Sequence, residues 1–345
     1  MSKPPSYLDE KSKLAKAWCH DLSCLLSERP PEFSAAEAER HHIYALLCLA
    51  LVYAYHNGNK AGAREMVYPR RVNQRRCDGT YKGDKDGDRY IGHNIAAIAV
   101  DATGHVMDFS FNHNKIFSSS TEHAEARLVR RLFQLNAVQD SWVVKTLPDK
   151  KKSTLDQVTV YTSLESCAQC AGIMALANIK RVFYAQPDPG QYMVGHIMRA
   201  LDDSGRSPEH VPASLIGLDQ YDALTNGYAA FKKDVGDLPF WWESDAHPSQ
   251  HDAVDCKKCD RKEDLTSFLC EDTALDIFKS AHDALESFVV LNPCYQDGSA
   301  VLLTNARADS TIEAPKVLTN DEVLKHAQYF LKYARTLGQR GTPHQ

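Results

Sequence analysis

The chain has 345 residues, of which 43% are hydrophobic and 25% are charged, and its formal net charge is −5. These values are ordinary for a soluble globular protein of two or three compact units, and no internal repeat or low-complexity tract is present. The acidic balance argues against a uniformly basic nucleic-acid-binding protein, but it leaves room for a local basic patch.

The sequence shows no signal for export or for membrane insertion. The N-terminal residues include two prolines and no apolar run, so no secretory signal is predicted. The longest apolar run, residues 43–54, is too short to span a bilayer. Ten cysteines in a chain of this length indicate a reducing cytoplasm, with metal-bound or buried thiols instead of a disulfide scaffold.

Two helices are predicted before residue 58. The first is broken by the two prolines that follow Arg29, and its hydrophobic stripe consists of Leu14, Trp18, Leu22 and Leu25. Ser34 and Glu37 have the spacing of a capping box and begin the second helix, which ends near Tyr55. The second helix is apolar on nearly all sides in its latter half, so we expect it to be buried. His41, near its start, is expected to face solvent.

The segment from 61 to 89 is rich in arginine and lysine, with tyrosines and glycines between them. We interpret it as a basic arm that contacts phosphates while its tyrosines stack on bases. The candidate phosphate contacts are Arg70, Arg71, Arg75 and Arg76. The alternative is a solvated loop in which the acidic residues from Asp78 to Asp88 cancel this charge.

An α/β pattern begins at residue 94. Residues 94–100 and 105–111 are predicted strands, joined by a turn as a hairpin. Further strands are predicted at 157–163, 181–185 and 214–218, and helices at 192–201 and 221–233 and directly after Thr121 and Cys167.

Four residues in this pattern form a zinc-and-base constellation. His123, Cys167 and Cys170 are the donor types that zinc prefers, and three protein ligands leave a fourth position for water. Zinc lowers the pKa of bound water towards neutrality, and Glu125 is placed to carry protons beside the metal without being a ligand.

The predicted helix starts support this interpretation. Cys167 and Cys170 lie one helical turn apart, at a helix N-terminus that lowers thiol pKa. His123 and Glu125 are two residues apart and would diverge inside a helix, so both can face one site only at a helix end. Residues 119–122 have the pattern of a capping sequence there. In the alternative interpretation, the thiols are buried core residues and His123 caps a helix.

The C-terminal third is predicted to be mainly helical, with helices at 265–288 and from Thr319 to about residue 337 and strand-like runs within 289–303. Three adjacent aromatic residues at 240–242 indicate interdomain packing or the interface of a homo-oligomer. Cys256 and Cys259, with His247, His251 and Cys270 nearby, are candidates for a second zinc site. A single C-x-x-C without clear partner spacing is a weak signal, and buried or surface thiols are the alternative.

Residues 90–235 resemble the cytidine deaminase-like superfamily, in particular the branch of tRNA adenosine deaminases and guanine deaminases. The resemblance rests on 160–172, on 179–185 with the following Asp-Pro, and on the H-x-E and C-x-x-C motifs. It implies that Asn112 recognises the base, with Phe111 and Ala124 also at the substrate. The chain departs from the family in having Ser166, where proline usually precedes the first cysteine, and this puts the rigidity of that turn in question.

The resemblance implies a three-layer α/β core, with a five-stranded mixed sheet and helices on both faces. Residues 1–90 would be a helical N-terminal extension with the basic arm, 91–235 the zinc deaminase core, and 236–345 a mainly helical C-terminal extension.

The expected activity is zinc-dependent hydrolytic deamination of an unpaired adenine or cytosine in RNA or single-stranded nucleic acid. Two alternatives stay open: a deaminase of a free base, nucleoside or nucleotide, and a catalytically inactive nucleic-acid-binding module. The target base does not follow from the sequence.

Overall fold

The fold is taken from a computed structural model of the full chain. The residues it describes are 12–17, 26, 30–56, 92–114, 119–143, 155–236, 264–295 and 317–337. The predicted basic arm, the aromatic segment at 240–242 and the Cys256–Cys259 pair lie outside them.

One mixed sheet organises the molecule. Its strands are β1 (Ala96–Val100), β2 (Val106–Phe111), β3 (Thr159–Thr162), β4 (Arg181–Tyr184) and β5 (Glu209–Pro212), in the order β2-β1-β3-β4-β5. β1 is antiparallel to both of its neighbours, while β3, β4 and β5 are parallel. The predicted five-stranded mixed sheet is confirmed. Because β3 and β4 are parallel, the segments that leave their carboxyl ends meet at one edge of the sheet.

The fifth strand lies elsewhere than predicted. The sequence favoured 214–218, but β5 is Glu209–Pro212, and 213–216 form a short 3-10 helix that ends at Gly217 in the left-handed conformation, at a φ of 74°. Val211 is fully buried in register with Phe183 of β4. Pro212 is tolerated because β5 is at the sheet edge, where a missing N–H group breaks no ladder.

Helices cover both faces of this sheet. They are α1 (Lys13–Ala17), α2 (Ala35–Ala54), α3 (Ala124–Val143), α4 (Ala168–Leu176), α5 (Val194–Leu201), α6 (Asp219–Gly236), α7 (Leu265–Phe268), α8 (Asp272–Glu286) and α9 (Asn320–Leu337). On one face α2 packs against β1 and β3, and α3 packs against β1, β2 and β3 on the other. The predicted three-layer arrangement is therefore present.

The second N-terminal helix forms as predicted and is the central helix of the fold. Ser34 and Glu37 form the reciprocal capping box, and the residues from Ile43 to Val52 are buried. Contrary to the prediction, His41 is buried as well, and its Nδ1 lies 2.6 Å from the Tyr161 hydroxyl. The side of α2 that carries the polar residue His41 therefore packs against the sheet.

The C-terminal helices add a further layer. Both α8 and α9 pack against α2. The buried carboxylate of Glu39 accepts hydrogen bonds from the N–H groups of Leu291 (2.7 Å) and Asn292 (2.9 Å) and from the Asn320 amide (3.2 Å). Glu39 therefore ties the C-terminal segment to the central helix.

Other expectations for the C-terminal region are met in part. Thr319 and Glu322 form the predicted reciprocal cap of α9. The single helix expected over 265–288 is two helices, because Glu271 begins α8 as its N-cap. The part of 289–303 that is described, residues 289–295, contains no strand.

The hydrophobic core is continuous across the sequence positions at which domain limits were predicted. Leu47, Ile98 and Phe278 belong to one buried cluster. The division at residues 90 and 236 stays a prediction. Among the described residues, no helix is both long and apolar enough to cross a membrane.

Candidate metal centre

Two helix starts bring the predicted ligands together. Helix α3 begins at Ala124, so His123 directly precedes it and Glu125 lies in its first turn. Cys167 is the N-cap of α4, in extended conformation at φ −70° and ψ 170°, and Cys170 is the third residue of that helix. The two-residue spacing of His123 and Glu125 and the three-residue spacing of Cys167 and Cys170 predicted these two helix starts.

The three ligand groups converge. The Nδ1 atom of His123 lies 3.4 Å from the Cys167 sulfur and 3.6 Å from the Cys170 sulfur. All three donor atoms lie within 4.8 Å of one another, and in the described part of the chain no other His, Cys, Asp or Glu cluster has this property. Cys170 is buried, while His123 and Cys167 are half-buried, so the cluster is open on one side.

The donor chemistry fits zinc. The hydrogen bond between the two thiols lowers the pKa of Cys167 and raises the pKa of Cys170, so in the absence of metal the pair shares one proton, with Cys167 as the thiolate. One imidazole and two thiols, with an open fourth side, match a catalytic zinc site and not a closed structural one. The alternative of unrelated core thiols and a capping histidine does not explain why all three groups face one point.

Glu125 lies beside the three ligands. Its side chain is only 4% exposed, and its Oε2 lies 3.5 Å from the Cys170 sulfur. Burial raises the pKa of this carboxyl, which favours its protonated form and suits a group that takes up and returns a proton.

Two buried hydroxyl groups hold the carboxylate in place. Thr162, at the end of β3, donates to Glu125 Oε1 at 3.3 Å, and Ser166 donates to the same oxygen at 3.4 Å. Both side chains are almost completely buried. The sequence analysis treated Ser166 only as a departure from proline, and the contact with Glu125 was missed because residues 41 positions apart give no local signal.

Asn112 lies next to the site. Its Oδ1 accepts the first N–H group of α3, from Ala124, at 2.6 Å, so this amide caps the helix that carries Glu125. The amide nitrogen has no hydrogen-bond partner among the described residues and is available as a donor. Asn112 as the group that recognises the base stays a prediction, and the fixed orientation of its amide is consistent with it.

The other two predicted substrate residues are placed differently. Ala124 is fully buried between His123 and Glu125, and its N–H group is already used by Asn112. The Phe111 ring packs 5.3 Å from Tyr55, against the helix on the opposite face of the sheet. Contact of Phe111 or Ala124 with the substrate stays a prediction.

Most residues of the predicted phosphate contacts and of the predicted second zinc site lie outside the described part of the chain. Arg70, Arg71, Arg75, Arg76, Cys256 and Cys259 lie outside the described residues. Cys270, expected near the second zinc site, is buried and lies within hydrogen-bond distance of the Asn94 amide and the Thr266 carbonyl oxygen. The second zinc site and the phosphate contacts stay predictions.

A comparison with protein families agrees with this geometry. Residues 81–186 match the model described as the cytidine and deoxycytidylate deaminase zinc-binding region. The match includes all three metal ligands and Glu125. Residues 81–186 are therefore similar to the zinc-binding region of cytidine and deoxycytidylate deaminases, and zinc is the cofactor for which the ligands of this chain are suited.

Solved structures show a more distant likeness. A tRNA:A34 deaminase described for A-to-I editing at the wobble position is 23% identical over 34% of this chain and 82% of its own, with a TM-score of 0.27. A guanine deaminase from Bacillus subtilis is 26% identical over 33% of this chain and 60% of its own, with a TM-score of 0.24. A guanine deaminase from Nitrosomonas europaea is 17% identical over 37% of this chain and 71% of its own, with a TM-score of 0.26.

With TM-scores of 0.24–0.27, these structures do not indicate the substrate or the assembly of this chain. No curated protein shows significant sequence similarity to the chain.

Proposed function

We propose that the protein is a zinc-dependent hydrolytic deaminase of a nucleobase, and that its substrate is an unpaired adenine or cytosine in RNA or single-stranded nucleic acid. The observation that carries the proposal is the position of Glu125, buried against Cys170 of a three-ligand zinc cluster and held by two hydroxyl groups. The reaction exchanges the amino group of the base for oxygen, with one water consumed and one ammonia released.

Zinc, held by His123, Cys167 and Cys170, supplies the Lewis acidity that makes water a nucleophile near neutral pH. The residues of the chain do the rest. Glu125 takes a proton from the attacking water and delivers it to the leaving nitrogen, so the same carboxyl acts first as base and then as acid. In this proposal, the N–H groups in the first turn of α4, which begins directly after Cys167, stabilise developing negative charge.

Asn112 orients the base in this proposal. Its oxygen already accepts from the N–H group of Ala124, and we assign its amide nitrogen, a donor, to the contact with substrate. A single fixed donor at the pocket wall selects a base with an acceptor at the matching position. Adenine offers ring nitrogens as acceptors, and cytosine offers a ring nitrogen and a carbonyl oxygen, so the donor does not choose between them.

The case for a polynucleotide rests on the sequence. The chain is acidic as a whole, yet five arginines fall within residues 64–76. Local positive charge in an acidic protein is typical of a confined phosphate track. Bases must also be unpaired or flipped to enter a zinc pocket.

The third interpretation, an inactive binding module, is disfavoured by Glu125. An inactive protein has no need for a buried carboxylate beside the metal ligands, since burying a charge is costly. Here the carboxylate is present and is held by Thr162 and Ser166.

The test is an ammonia-release screen with zinc-loaded, full-length protein. The substrates are free bases, nucleosides, nucleotides, single-stranded DNA and tRNA. Release from a polynucleotide supports the proposal, and the salt dependence of its binding should be steep. If ammonia is released from a free base or nucleoside and no polynucleotide binds at low salt, the protein is a deaminase of small molecules and the polynucleotide substrate is wrong.

The contribution of the basic segment is tested with a charge-reversal variant. Replacing Arg70, Arg71, Arg75 and Arg76 by glutamate should abolish polynucleotide binding and leave zinc content unchanged, because none of these residues is a zinc ligand. Unchanged binding by this variant would show that the arginines are paired with the neighbouring aspartates.

A further inference from the structure

The loop that begins with Asn112 lies against the residues that precede β1. Asn112 directly follows β2, and residues 92–95 lead into β1. Ala96 of β1 is in register with Phe111 of β2, so the start of one strand and the end of the other are neighbours. The pairing continues past both strands, because the Asn112 N–H group donates to the Ile95 carbonyl oxygen at 3.2 Å. The segment 92–95 therefore lies beside the start of the Asn112 loop.

Asn114 binds one residue of this segment at two points. Its Oδ1 accepts from the His93 N–H group at 3.3 Å, and its Nδ2 lies 3.1 Å from Nε2 of the His93 ring. Because an N–H group donates to the amide oxygen, the amide nitrogen faces the ring and donates, so Nε2 of His93 is the acceptor. Two contacts with a single residue fix both the position and the orientation of the loop.

Gly92 brings the segment into contact with the backbone of Asn112. A Cβ atom at this position would lie 2.1 Å from the Asn112 carbonyl oxygen and 2.7 Å from Asn114 Oδ1. No side chain fits at such distances, so this close approach requires glycine. Gly92, His93 and Asn114 thus hold the backbone of Asn112, and we call these three residues the clasp.

The segment is also anchored to the C-terminal layer. The Asn94 amide nitrogen donates at 2.9 Å to the carbonyl oxygen of Leu269, the C-cap of α7. Nε2 of the His56 ring lies 2.8 Å from the same oxygen. Asn94 is almost completely buried. The clasp is therefore attached to the packed interior of the fold.

The clasp acts on a residue whose side chain has a separate constraint. Asn112 Oδ1 accepts from the Ala124 N–H group at 2.6 Å, at the start of the helix that carries Glu125. This contact sets the direction of the amide, while the clasp sets the position of the backbone that carries it. Movement of that backbone would shift the amide nitrogen relative to Glu125.

We infer that Gly92, His93 and Asn114 are positioning residues for the substrate base and that they act through Asn112. The inference rests on the proposed function, because Asn112 has a base to orient only in a nucleobase deaminase. It applies equally to a polynucleotide and to a free base or nucleoside, since each of these presents a base to the amide.

The test is steady-state ammonia release by zinc-loaded, full-length variants, on the substrate that the screen identifies. Asn114→Ala removes both contacts with His93 and should raise KM about fivefold, the loss expected when one neutral hydrogen bond to substrate is weakened. Its kcat should stay near the wild-type value, because Glu125 and the zinc ligands are unchanged. Gly92→Ala pushes against the Asn112 carbonyl group and should raise KM in the same way.

A matched control separates positioning from a general loss of stability. His105→Ala removes a contact of the same kind, between its Nδ1 and the Thr103 hydroxyl at 2.8 Å, at the opposite end of the β1–β2 hairpin. This variant should keep the wild-type KM. Zinc content and thermal unfolding are measured on every variant, and zinc content should be the same in all of them.

A double-mutant cycle tests whether the effect passes through Asn112. Asn112→Asp keeps the oxygen that accepts from Ala124 and removes the donor to substrate, so Asn114→Ala should cause no further rise in KM in this background. An equal rise in both backgrounds would overturn the inference. Wild-type KM in Asn112→Asp would also overturn it, because Asn112 would then not recognise the base.

Wild-type KM in both Asn114→Ala and Gly92→Ala would overturn the inference and leave the deaminase proposal intact. Absence of ammonia release from every substrate by the zinc-loaded wild type would instead overturn the proposed function, and the role of the clasp with it.

Discussion

Ser166 offers a test of how the chain orients its proton carrier. Its hydroxyl donates to Glu125 Oε1 at 3.4 Å, and the Thr162 hydroxyl donates to the same oxygen at 3.3 Å. Ser166→Ala removes one of these two donors with little change in volume. The carboxylate keeps the other donor, so we expect a partial loss of orientation and not a loss of activity.

The size of the effect follows from the distances. A hydrogen bond to a charged group contributes roughly 1.5–3 kcal/mol, but O–H···O contacts beyond the usual range of about 2.5–3.0 Å are weaker. We therefore expect a loss of about 1 kcal/mol, which lowers kcat roughly fivefold. Thr162→Val should cost a similar amount. The double variant should lose more than the sum of the two, because Oε1 then has neither hydroxyl donor and the two sites are coupled through one carboxylate.

The assay is kcat for ammonia release at saturating substrate, with zinc content and thermal unfolding measured on each variant. Ser166→Pro restores the residue usual in the family and should behave like Ser166→Ala, since it also lacks the hydroxyl. Wild-type turnover in Ser166→Ala and in the double variant would refute the claim that these hydroxyls orient Glu125. Wild-type turnover in Ser166→Pro alone would show that rigidity of the turn is the property that matters.

Two further predictions concern the metal ligands and the C-terminal layer. Cys167→Ser and Cys170→Ser should each lose zinc, measured by metal analysis after dialysis, because serine is a poor zinc ligand at neutral pH; a full zinc complement in the double variant would contradict the assigned site. Glu39→Ala should lower the free energy of unfolding by about 2 kcal/mol or more, because it leaves the N–H groups of Leu291 and Asn292 and the Asn320 amide without their acceptor. Glu39→Gln keeps an acceptor oxygen and should cost less in the same denaturant titration, and equal losses in the two variants would show that these hydrogen bonds do not hold the C-terminal segment.

The parts of the fold that follow from local chemistry were predictable. The H-x-E and C-x-x-C spacings require helix starts at His123 and Cys167, and the structure has them there. The capping boxes at Ser34 and Thr319 depend on residues three positions apart, and both form. Such signals are contained in a few consecutive residues. The cap predicted at 119–122 is the exception, because the first N–H group of α3 donates to Asn112, 12 positions away.

The errors share one physical cause, which is dependence on distant partners. The sequence at 209–212 has a weak strand pattern, and β5 forms there because Val211 is buried in register with β4. His41 is a polar residue whose partner, Tyr161, is 120 positions away. Ser166 likewise meets Glu125 only after the two helix starts converge.

The most direct test of the proposed chemistry is turnover by Glu125→Gln. The variant should keep a full zinc complement, because Glu125 is not among the three ligands. It should release ammonia at least about a hundredfold more slowly than the wild type, on whichever substrate the screen identifies, because glutamine cannot carry the proton. Zinc content and ammonia release are measured on the same preparation. Zinc-loaded Glu125→Gln that turns over at nearly the wild-type rate would contradict the assignment of Glu125 as the proton carrier.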